Sequence, residues 1–301
     1  MSRASAPDSR HTMADQPRIP ATFPERAQRS FPVQGEPLIH SVNWIGLGTL
    51  YMKEVRRFFK VQVQTIWAPA ATTLLQLVIF TLALGGAGRM VLGVPFATFV
   101  APGLIVMGMM QNAFQNGSFS FLSGKMQGTI VDFLMPPLSE AELMLAMIGA
   151  ALTRAVLVGV ALAVFMLFWP QIDLTMAHPW AVIWFGLMGS VFLAVVGMLS
   201  SIWAEKFDHN AAITNFFVTP MTMLSGTFYA VDRLSPAFRA VSHANPFFYV
   251  ISGFRYGFIG ASDISGGSAA VLQGAIGLGI FDLALILLTY LVLKSGWRLK
   301  S

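Results

Sequence analysis

The chain has 301 residues, of which 55% are hydrophobic and 11% are charged, and its formal net charge is +5. Soluble globular proteins carry about 25% charged residues, so this composition and a mean hydropathy of +0.65 exclude an ordinary soluble enzyme and predict a membrane protein with several spans. The absence of cysteine excludes disulfides, thiolate nucleophiles and Cys-ligated metal sites.

The amino-terminal part of the chain is polar and basic. Residues 1–40 contain five arginines among Ser, Pro, Gln and acidic residues, with no apolar run long enough for a signal peptide. We expect a disordered cytoplasmic tail here and one transmembrane domain over 41–301. At the start of that domain, 43–60 mixes aromatic and aliphatic residues with Lys and Arg, which is typical of an amphipathic helix in the membrane interface. A plain cytoplasmic helix is the alternative.

Six apolar segments long enough to cross about 30 Å of hydrocarbon follow. We therefore predict an all-α polytopic membrane protein with six transmembrane helices, of which the fifth contains Pro220 and should be kinked there. This break has no evident counterpart in the first three segments. The predicted spans lie at about 66–87, 96–117, 141–169, 179–203, 211–230 and 270–293.

Positive charges predict the orientation. An even number of spans places both termini on one side, and that side carries fourteen Lys and Arg residues against four on the other. Because Lys and Arg are enriched in cytoplasmic loops, both termini are expected to be cytoplasmic. The long segment after the fifth span, 231–269, then lies outside. Its many aromatic residues predict short re-entrant helices between spans five and six, and a small extracellular cap is the alternative.

Two ionisable residues lie near the middle of predicted spans, Arg154 in the third and Asp282 in the sixth. Charged groups at this depth are rare, and they are usually paired or functional. Their similar depth allows an intramembrane ion pair, which is our hypothesis. A role in lining the substrate path is the alternative.

The second predicted span ends in a polar face near the cytoplasmic side. Side chains four residues apart lie on the same side of a helix, so these amides should face together. Two interpretations are open. In the first, the amides line a translocation path and contact a substrate head group; in the second, which we favour, they form hydrogen bonds with neighbouring helices. The four residues are Gln111, Asn112, Gln115 and Asn116.

The longest cytoplasmic segment between predicted spans covers 118–142. It has an amphipathic middle and a Pro136-Pro137 pair that stops a helix before the third span. This pattern suits a short helix that docks into a groove on a cytoplasmic partner. A connector lying on the lipid surface is the alternative.

Sequence motifs for catalysis are not evident. Gly124-Lys125 is followed by Met126 and lacks the earlier glycine of a phosphate-binding loop, so the chain is not expected to hydrolyse ATP by itself. None of the five histidines lies in a predicted span, which argues against an intramembrane serine protease. They are also too scattered in the sequence to indicate a metal site. We expect no catalytic residue, no bound metal and no nucleic-acid partner.

Several stretches resemble the membrane subunit of a type-2 ATP-binding-cassette (ABC) exporter. One is GTIVDFLMPPLS after the second span, and another contains TP, SGTFY, NPFFY and GFRYG in this order between Thr219 and Gly257. APGLIVMGMMQNAF in the second span fits the same pattern. The resemblance covers about 40–300 and is strongest to the small permeases of proteobacterial inner membranes.

This resemblance implies the partners. Such permeases work as two membrane subunits, a homodimer or a pair of related permeases, with two separate cytoplasmic ATPases that bind ATP and Mg²⁺, so this chain is expected to bind no cofactor. The family's coupling helix, which sits on the ATPase, corresponds to the segment after the second span. The residues implied in or beside that contact are Lys125, Gly128, Asp132, Phe133, Leu134, Pro136 and Pro137.

The resemblance also implies the function. A permease subunit of this kind lies in the lipid of a bacterial inner membrane and exports a hydrophobic or amphipathic substrate, such as a drug, a lipid or a glycolipid. An ion-coupled secondary transporter is the main alternative, although repeated halves with broken helices are not evident. A membrane-bound enzyme is the third interpretation, weakened by the missing pair of nucleophile and base.

Overall fold

A computed structural model of the chain describes six stretches of residues. All of these residues lie in one compact unit, Val42–Ser301. The expected tail over 1–40 therefore lies outside the described residues. The described stretches are 42–84, 89–130, 137–170, 172–231, 234–264 and 266–297.

The first helix, α1 (Trp44–Lys60), is amphipathic, as predicted. The side chain of Asn43 caps its start by accepting the N–H of Gly46 at 2.8 Å. Leu50, Glu54 and Phe58 are buried at intervals of four residues, which places them on one face of the helix. Its position in the membrane interface stays a prediction.

Five helices among the described residues are long and apolar enough to cross a membrane, which confirms a polytopic helical protein. They correspond to the first four and the sixth of the predicted spans. The first begins as a π-helical turn, Val63–Trp67, and continues as α2. The helices are α2 (Ala68–Leu84), α3 (Phe96–Met126), α4 (Glu140–Leu167), α5 (Pro179–Trp203) and α10 (Gly267–Ser295).

The predicted fifth span, 211–230, is shorter in the structure and begins earlier. It consists of α6 (Phe207–Ile213), a π-helical turn (Thr214–Val218) and α7 (Thr219–Met223), with 7, 5 and 5 residues. The predicted end at residue 230 is wrong, because the helix ends at Met223 and turns and bends occupy 224–229. A sixth span therefore stays a prediction.

Hydroxyl groups and a glycine explain why this helix ends early. The hydroxyls of Ser225 and Thr227 both donate to the carbonyl oxygen of Thr222, in competition with the backbone N–H groups that would continue the helix. Gly226 follows with φ +79°, a left-handed conformation that ends helices. The SGTFY motif thus forms a tight turn at the point where the sequence predicted a helix.

Proline breaks two helices in the same way. Pro69 and Pro220 each lie two residues beyond a π-helical turn, and the closing backbone bonds run from Ala68 to Val63 and from Thr219 to Thr214. A proline clashes with the carbonyl group four residues earlier, and the wider turn relieves this clash. The expectation that the break at Pro220 has no counterpart in the first three spans is therefore wrong.

Helix α3 forms the centre of the bundle. Of its most apolar stretch 94% is buried, compared with 17% for the first span and 22% for α10. It packs against α2, α4, α5 and α9 (Pro246–Ile259). Gly117 on α3 and Gly197 on α5 allow a close crossing, because a Cβ atom on either would overlap the backbone of the other helix.

Short elements connect the spans at the end where α3 begins. A hairpin of β1 (Met90–Val91) and β2 (Val94–Pro95) is closed by Leu92 and Gly93, both at positive φ, which suits a two-residue turn. Two more helices, α8 (Pro236–Ala244) and α9, follow α7. The predicted short helices between spans five and six are thus present, and their re-entry into the membrane stays a prediction.

A buried arginine holds α9 in place. The guanidinium of Arg255 donates to Asp263 at 2.6 Å, and it also donates to the carbonyl oxygens of Phe99 (3.1 Å), Gly226 (2.9 Å) and Thr227 (3.2 Å). It lies 3.8 Å from the centroid of the Phe99 ring. This cluster joins α9 to the start of α3 and to the turn that follows α7.

Candidate functional site

A polar cavity of about 630 Å³ opens on one side of the bundle. Its walls come from the end of α1, the first turns of α2 with the π-helical turn before them, and the second half of α3; α4 and α6 contribute one residue each. We call it the polar cavity. Its polar lining residues are Arg57, Gln64, Thr65, Thr72, Thr73, Gln76, Gln111, Asn112, Gln115, Asn116, Ser118, Arg154 and Asn210.

The four amide residues predicted on the second span all line this cavity. Asn112 and Asn116 are buried, whereas Gln115 is exposed on the open side. Asn112 also donates to the carbonyl oxygen of Gly108 at 2.9 Å, within its own helix. The predicted polar face of α3 therefore looks into a cavity, while some of its amides also bond neighbouring groups.

Arg154 lies in the middle of α4 and reaches this polar face. Its Nη2 donates to Oδ1 of Asn112 at 2.9 Å and to Oε1 of Gln115 at 3.1 Å. The side chain is 6% exposed, and the Nε atom has no hydrogen-bond partner among the described residues. Arg154 is thus a buried cation held by two neutral amides.

The predicted ion pair between Arg154 and Asp282 is absent from the structure. Both carboxylate oxygens of Asp282 are buried without a hydrogen-bond partner in the described part of the chain. Asp282 is on α10, which packs mainly on α5, whereas Arg154 points to α3. Similar predicted depth in the membrane was insufficient to predict the pair. Whether two side chains meet also depends on the direction in which each points from its helix.

A second arginine reaches the cavity from α1. Arg57 pairs with Glu54 at 2.8 Å and donates to the Ser120 hydroxyl at 2.8 Å and to Oδ1 of Asn116 at 3.3 Å. The Ser120 hydroxyl in turn donates to Glu54 at 2.7 Å. Burial lowers the pKa of Arg57, and the charge of Glu54 opposes this effect. A guanidinium is not deprotonated in proteins, so Arg57 is a cation.

Sequence reasoning missed Arg57 as a cavity residue. It read the four basic residues of α1 as surface charges at the membrane interface. The spacing of Glu54 was a signal in the sequence. Glu54 lies four residues after Leu50 and four before Phe58, on the apolar face of the helix, and a buried acid there needs a partner. Arg57 lies three residues after Glu54 and within reach of it.

The charge of the cavity is positive. The lining residues that the structure describes include two arginines and no Asp or Glu. The remaining polar groups are amides and hydroxyls, which donate and accept hydrogen bonds without charge. This arrangement can bind a polar or negatively charged group inside the bundle.

The predicted coupling residues fall into two groups. Lys125, Gly128 and Pro137 are described; Asp132, Phe133, Leu134 and Pro136 lie outside the described residues. The connector also starts later than predicted, because α3 continues to Met126.

Lys125 acts within the chain. Its ammonium group donates to the carbonyl oxygens of Ser201 (3.1 Å), Ile202 and Ala204 (3.4 Å) at the end of α5. A cation in this position satisfies carbonyls that have no partner within the helix. Gly128 and Pro137 are exposed, and a contact of any of the three with an ATPase stays a prediction.

A carboxylate ties α1 to the start of α4, directly after the predicted coupling segment. Glu142 accepts the N–H of Ser139 at 2.7 Å and the N–H of Asn43 at 2.5 Å. The amide of Asn43 donates to the carbonyl oxygen of Pro137 at 3.2 Å. Further along, the hydroxyls of Tyr51 and Thr153 share a hydrogen bond of 2.8 Å. These contacts join the two helices at their starts and again near their middles.

Comparison with known proteins places this site in a family. Residues 46–259, which include the whole cavity, match the family described as ABC-2 type transporter. The inner membrane transport permease YadH of Escherichia coli K12 is 31% identical over 260 residues, which cover 86% of this chain and 98% of that protein. Nodulation protein J of Sinorhizobium fredii is 26% identical over 240 residues, covering 78% of this chain and 87% of that protein.

Proposed function

The chain belongs to the ABC-2 type transporter family, and from this premise we propose that it exports a hydrophobic or amphipathic substrate with ATP hydrolysed by a separate ATPase. It is a multi-pass membrane permease with an inner-membrane relative. The polar cavity is the observation that carries the proposal. In this mechanism the chain supplies the path, and the partner supplies the hydrolysis.

The cavity has the position that a substrate path requires. It runs from the end of α1 to Asn112 and Arg154, which lie in the middle of two long apolar helices. Several of its polar side chains, including Gln64, Thr72 and Gln115, are exposed on the outside of the subunit. Polar groups at this depth are costly against lipid, so this side should face a second subunit or an aqueous path.

A pair of permease subunits would satisfy this requirement. The first span, which lines the cavity, is the least covered of the five long helices that the structure describes, with 17% of its apolar stretch buried, and Phe216 in the π-helical turn before α7 is 84% exposed. We propose a homodimer, or a pair with a related permease, in which these surfaces meet and the two cavities join. The substrate then passes between the subunits.

The helices that line the cavity also lead to the proposed ATPase contact. Helix α3 has 31 residues, about 46 Å at roughly 1.5 Å per residue, and it connects the cavity with the segment around Gly128. Glu142 ties α1 and α4 together beside the same segment. When ATP closes the two ATPases, the docked segment moves, and α1, α3 and α4 transmit this motion to the cavity walls.

The same proposal includes the orientation. Six spans with both termini in the cytoplasm of a bacterium would place the ends of α1 and α3, and thus the coupling segment, on the side where ATP is available. The excess of Lys and Arg on that side supports this orientation. The substrate would enter the polar cavity from the cytoplasm or the inner leaflet.

An ion-coupled secondary transporter remains a second candidate because of Asp282. Its carboxylate is 2% exposed in a membrane-spanning helix, with no hydrogen-bond partner in the described residues. Unpaired carboxylates inside membranes carry protons or cations in such transporters. Transport that follows a proton gradient without ATP would favour this candidate.

The proposed function is tested by isolating the protein with its partner. The full chain is purified from its native membrane in mild detergent as wild type, Asp132→Arg and Phe133→Ala, with Asp173→Arg, in the loop between α4 and α5, as the control. We expect a stoichiometric ATPase with the wild type and the control, and less of it with the other two variants. A folded wild-type chain that brings down no ATPase overturns the proposal, and transport is then measured with an ion gradient.

A further inference from the structure

We propose that the polar cavity binds the anionic head group of an amphiphile, with Arg154 and Arg57 as its cationic contacts. This inference rests on the proposed function, since it takes the cavity as the substrate site, and it adds the chemical class of the substrate. Phosphate, sulfate and carboxylate head groups share the required chemistry, because each offers a charged oxygen acceptor to a guanidinium.

The charge balance of the cavity is the first argument. Glu54 compensates Arg57, to which it is bound at 2.8 Å. Arg154 has only the neutral oxygens of Asn112 and Gln115, and no acidic residue lines the described walls. A buried cation with neutral partners is costly in a membrane, and an anion in the adjoining cavity removes this cost.

The free donors are the second argument. Both described hydrogen bonds of Arg154 come from Nη2, and its Nε has no partner in the part of the chain that the structure describes. Since a guanidinium has five N–H groups in a planar fork, donors remain for a third acceptor. The Nδ2 atom of Asn116 likewise has no acceptor among the described residues. Of the buried groups without a described partner, the two that line the cavity are both donors, whereas the acceptor Oε1 of Glu54 lies behind Arg57 and outside the lining. Donors in the lining select a ligand rich in acceptors.

The third argument concerns the rest of the ligand. The cavity volume of about 630 Å³ is sufficient for a head group, within the usual range of about 300–1,000 Å³ for small-molecule sites. Beyond its polar wall, α2 carries Leu75, Ile79 and Leu82, all exposed. An acyl or alkyl chain can lie along this apolar surface while the head group stays between the arginines. The occupant is thus an amphiphile rather than a small hydrophilic anion.

The test measures binding with two labelled probes. The full chain is placed in nanodiscs of zwitterionic phosphatidylcholine, and a fluorescently labelled dodecyl phosphate is compared with the same labelled chain carrying a trimethylammonium head. Empty nanodiscs correct for partition into lipid. We expect saturable binding of the phosphate probe and no saturable binding of the trimethylammonium probe. Inorganic phosphate serves as a competitor: weak competition supports an amphiphile, whereas competition as strong as that of unlabelled dodecyl phosphate overturns the amphiphile and indicates a site for the free anion.

Variants show whether the arginines make the contact. Arg154→Gln and Arg57→Gln should each weaken binding at least about tenfold, since each removes a charge-assisted hydrogen bond. Arg56→Gln is the matched control, because Arg56 is the exposed neighbour of Arg57 on α1 and does not line the cavity. Binding of both Gln variants at the strength of the control overturns the proposal, as does equal binding of the cationic probe.

Folding and ATPase recovery separate the possible failures. Gel filtration and thermal unfolding are measured on every variant. If Arg154→Gln does not fold, the binding of Arg57→Gln and Arg154→Lys tests the proposal instead. Arg154→Lys should retain more binding than Arg57→Gln, because it keeps the charge. The ATPase that co-purifies with each sample is measured as well. An ATPase without probe binding overturns the head-group proposal alone, whereas probe binding without an ATPase overturns the exporter and keeps the head-group site.

Discussion

At the scale of single residues, two buried arginines in the described part of the bundle have contrasting surroundings. Arg255 has a carboxylate partner, three backbone carbonyls and an aromatic ring. Arg154 has two amide oxygens and an unused Nε. A cation with all these partners holds its surroundings in one geometry, whereas one with free donors can accept a ligand. We therefore assign Arg255 to structure and Arg154 to binding.

Replacing each of two buried aspartates by leucine should change the stability of the protein in opposite directions. Asp263→Leu removes the partner of Arg255 and should destabilise the protein by about 3–5 kcal/mol, because an unpaired charge remains buried. Asp282→Leu removes a carboxylate that has no described hydrogen-bond partner and should stabilise it by about 1–3 kcal/mol. Thermal unfolding of both variants in the same detergent measures the difference.

Asp208→Leu, an exposed position on α6, is the control for the added apolar side chain. If Asp282→Leu instead lowers stability as much as Asp263→Leu, the carboxylate of Asp282 has a partner in the assembled protein. Loss of transport by Asp282→Leu with stability intact would favour the ion-coupled transporter.

The polar residues of the cavity were easier to recognise in the sequence than their partners. The amides of α3 and Arg154 stand out as polar groups in apolar segments, and all of them line the cavity. Their partners depend on the rotation of each helix about its axis, which packing between distant segments decides. For this reason the pairing of Arg154 with Asp282 was wrong, and Arg57 was missed.

At the scale of elements, the close crossing of α3 and α5 fixes the centre of the bundle. Gly117 faces the backbone of Ala194, and Gly197 faces the backbone of Phe114. Small residues at such a crossing allow two backbones to approach and pack closely in a membrane. The crossing lies beside the cavity residues Asn116 and Ser118, so its geometry also positions that wall.

Alanine at these glycines should therefore be harmful. A glycine within a helix usually costs about 0.5–1 kcal/mol relative to alanine, so a free position gains from the change. Gly117→Ala and Gly197→Ala should instead destabilise by about 1–3 kcal/mol, because the added methyl overlaps backbone atoms. Gly277→Ala on α10, where nothing lies within 4 Å of the added Cβ, is the matched control and should be neutral or stabilising. Equal unfolding temperatures for all three variants would contradict the close crossing.

Three predicted spans, 141–169, 179–203 and 270–293, agree with helices nearly to both ends, and the differences in the second and fifth have local causes. Apolar runs define α4, α5 and α10 because a membrane helix must be long and apolar. The second span continues into polar sequence to Met126, since α3 is surrounded by other helices rather than by lipid. The fifth ends at Met223 because hydroxyls compete for its last carbonyls. Hydropathy alone predicts neither whether a helix is surrounded by protein nor whether side-chain hydroxyls end it.

At the scale of the whole molecule, the proposed function requires that motion at the ATPase reaches the cavity some distance away. Helices α1 and α4 are the natural carriers because they are joined near the coupling segment and both contribute an arginine to the cavity. The joint is the carboxylate of Glu142, which accepts N–H groups from Ser139 and from Asn43. Without it, α1 would be attached to α4 through fewer polar contacts.

Glu142→Ala should therefore uncouple hydrolysis from transport. The variant loses the capping box of α4, a cost of about 0.5–2 kcal/mol that a multi-span bundle can tolerate. We expect the ATPase to co-purify and to hydrolyse ATP at a rate near that of the wild type, while substrate transport into inverted vesicles falls severalfold. Glu140→Ala is the matched control, because it removes an acid from the same helical turn that makes no described bond to α1. Equal transport by the two variants would show that the motion reaches the cavity through α3, which leads from the coupling segment to Asn116 and Asn112 without passing through α1.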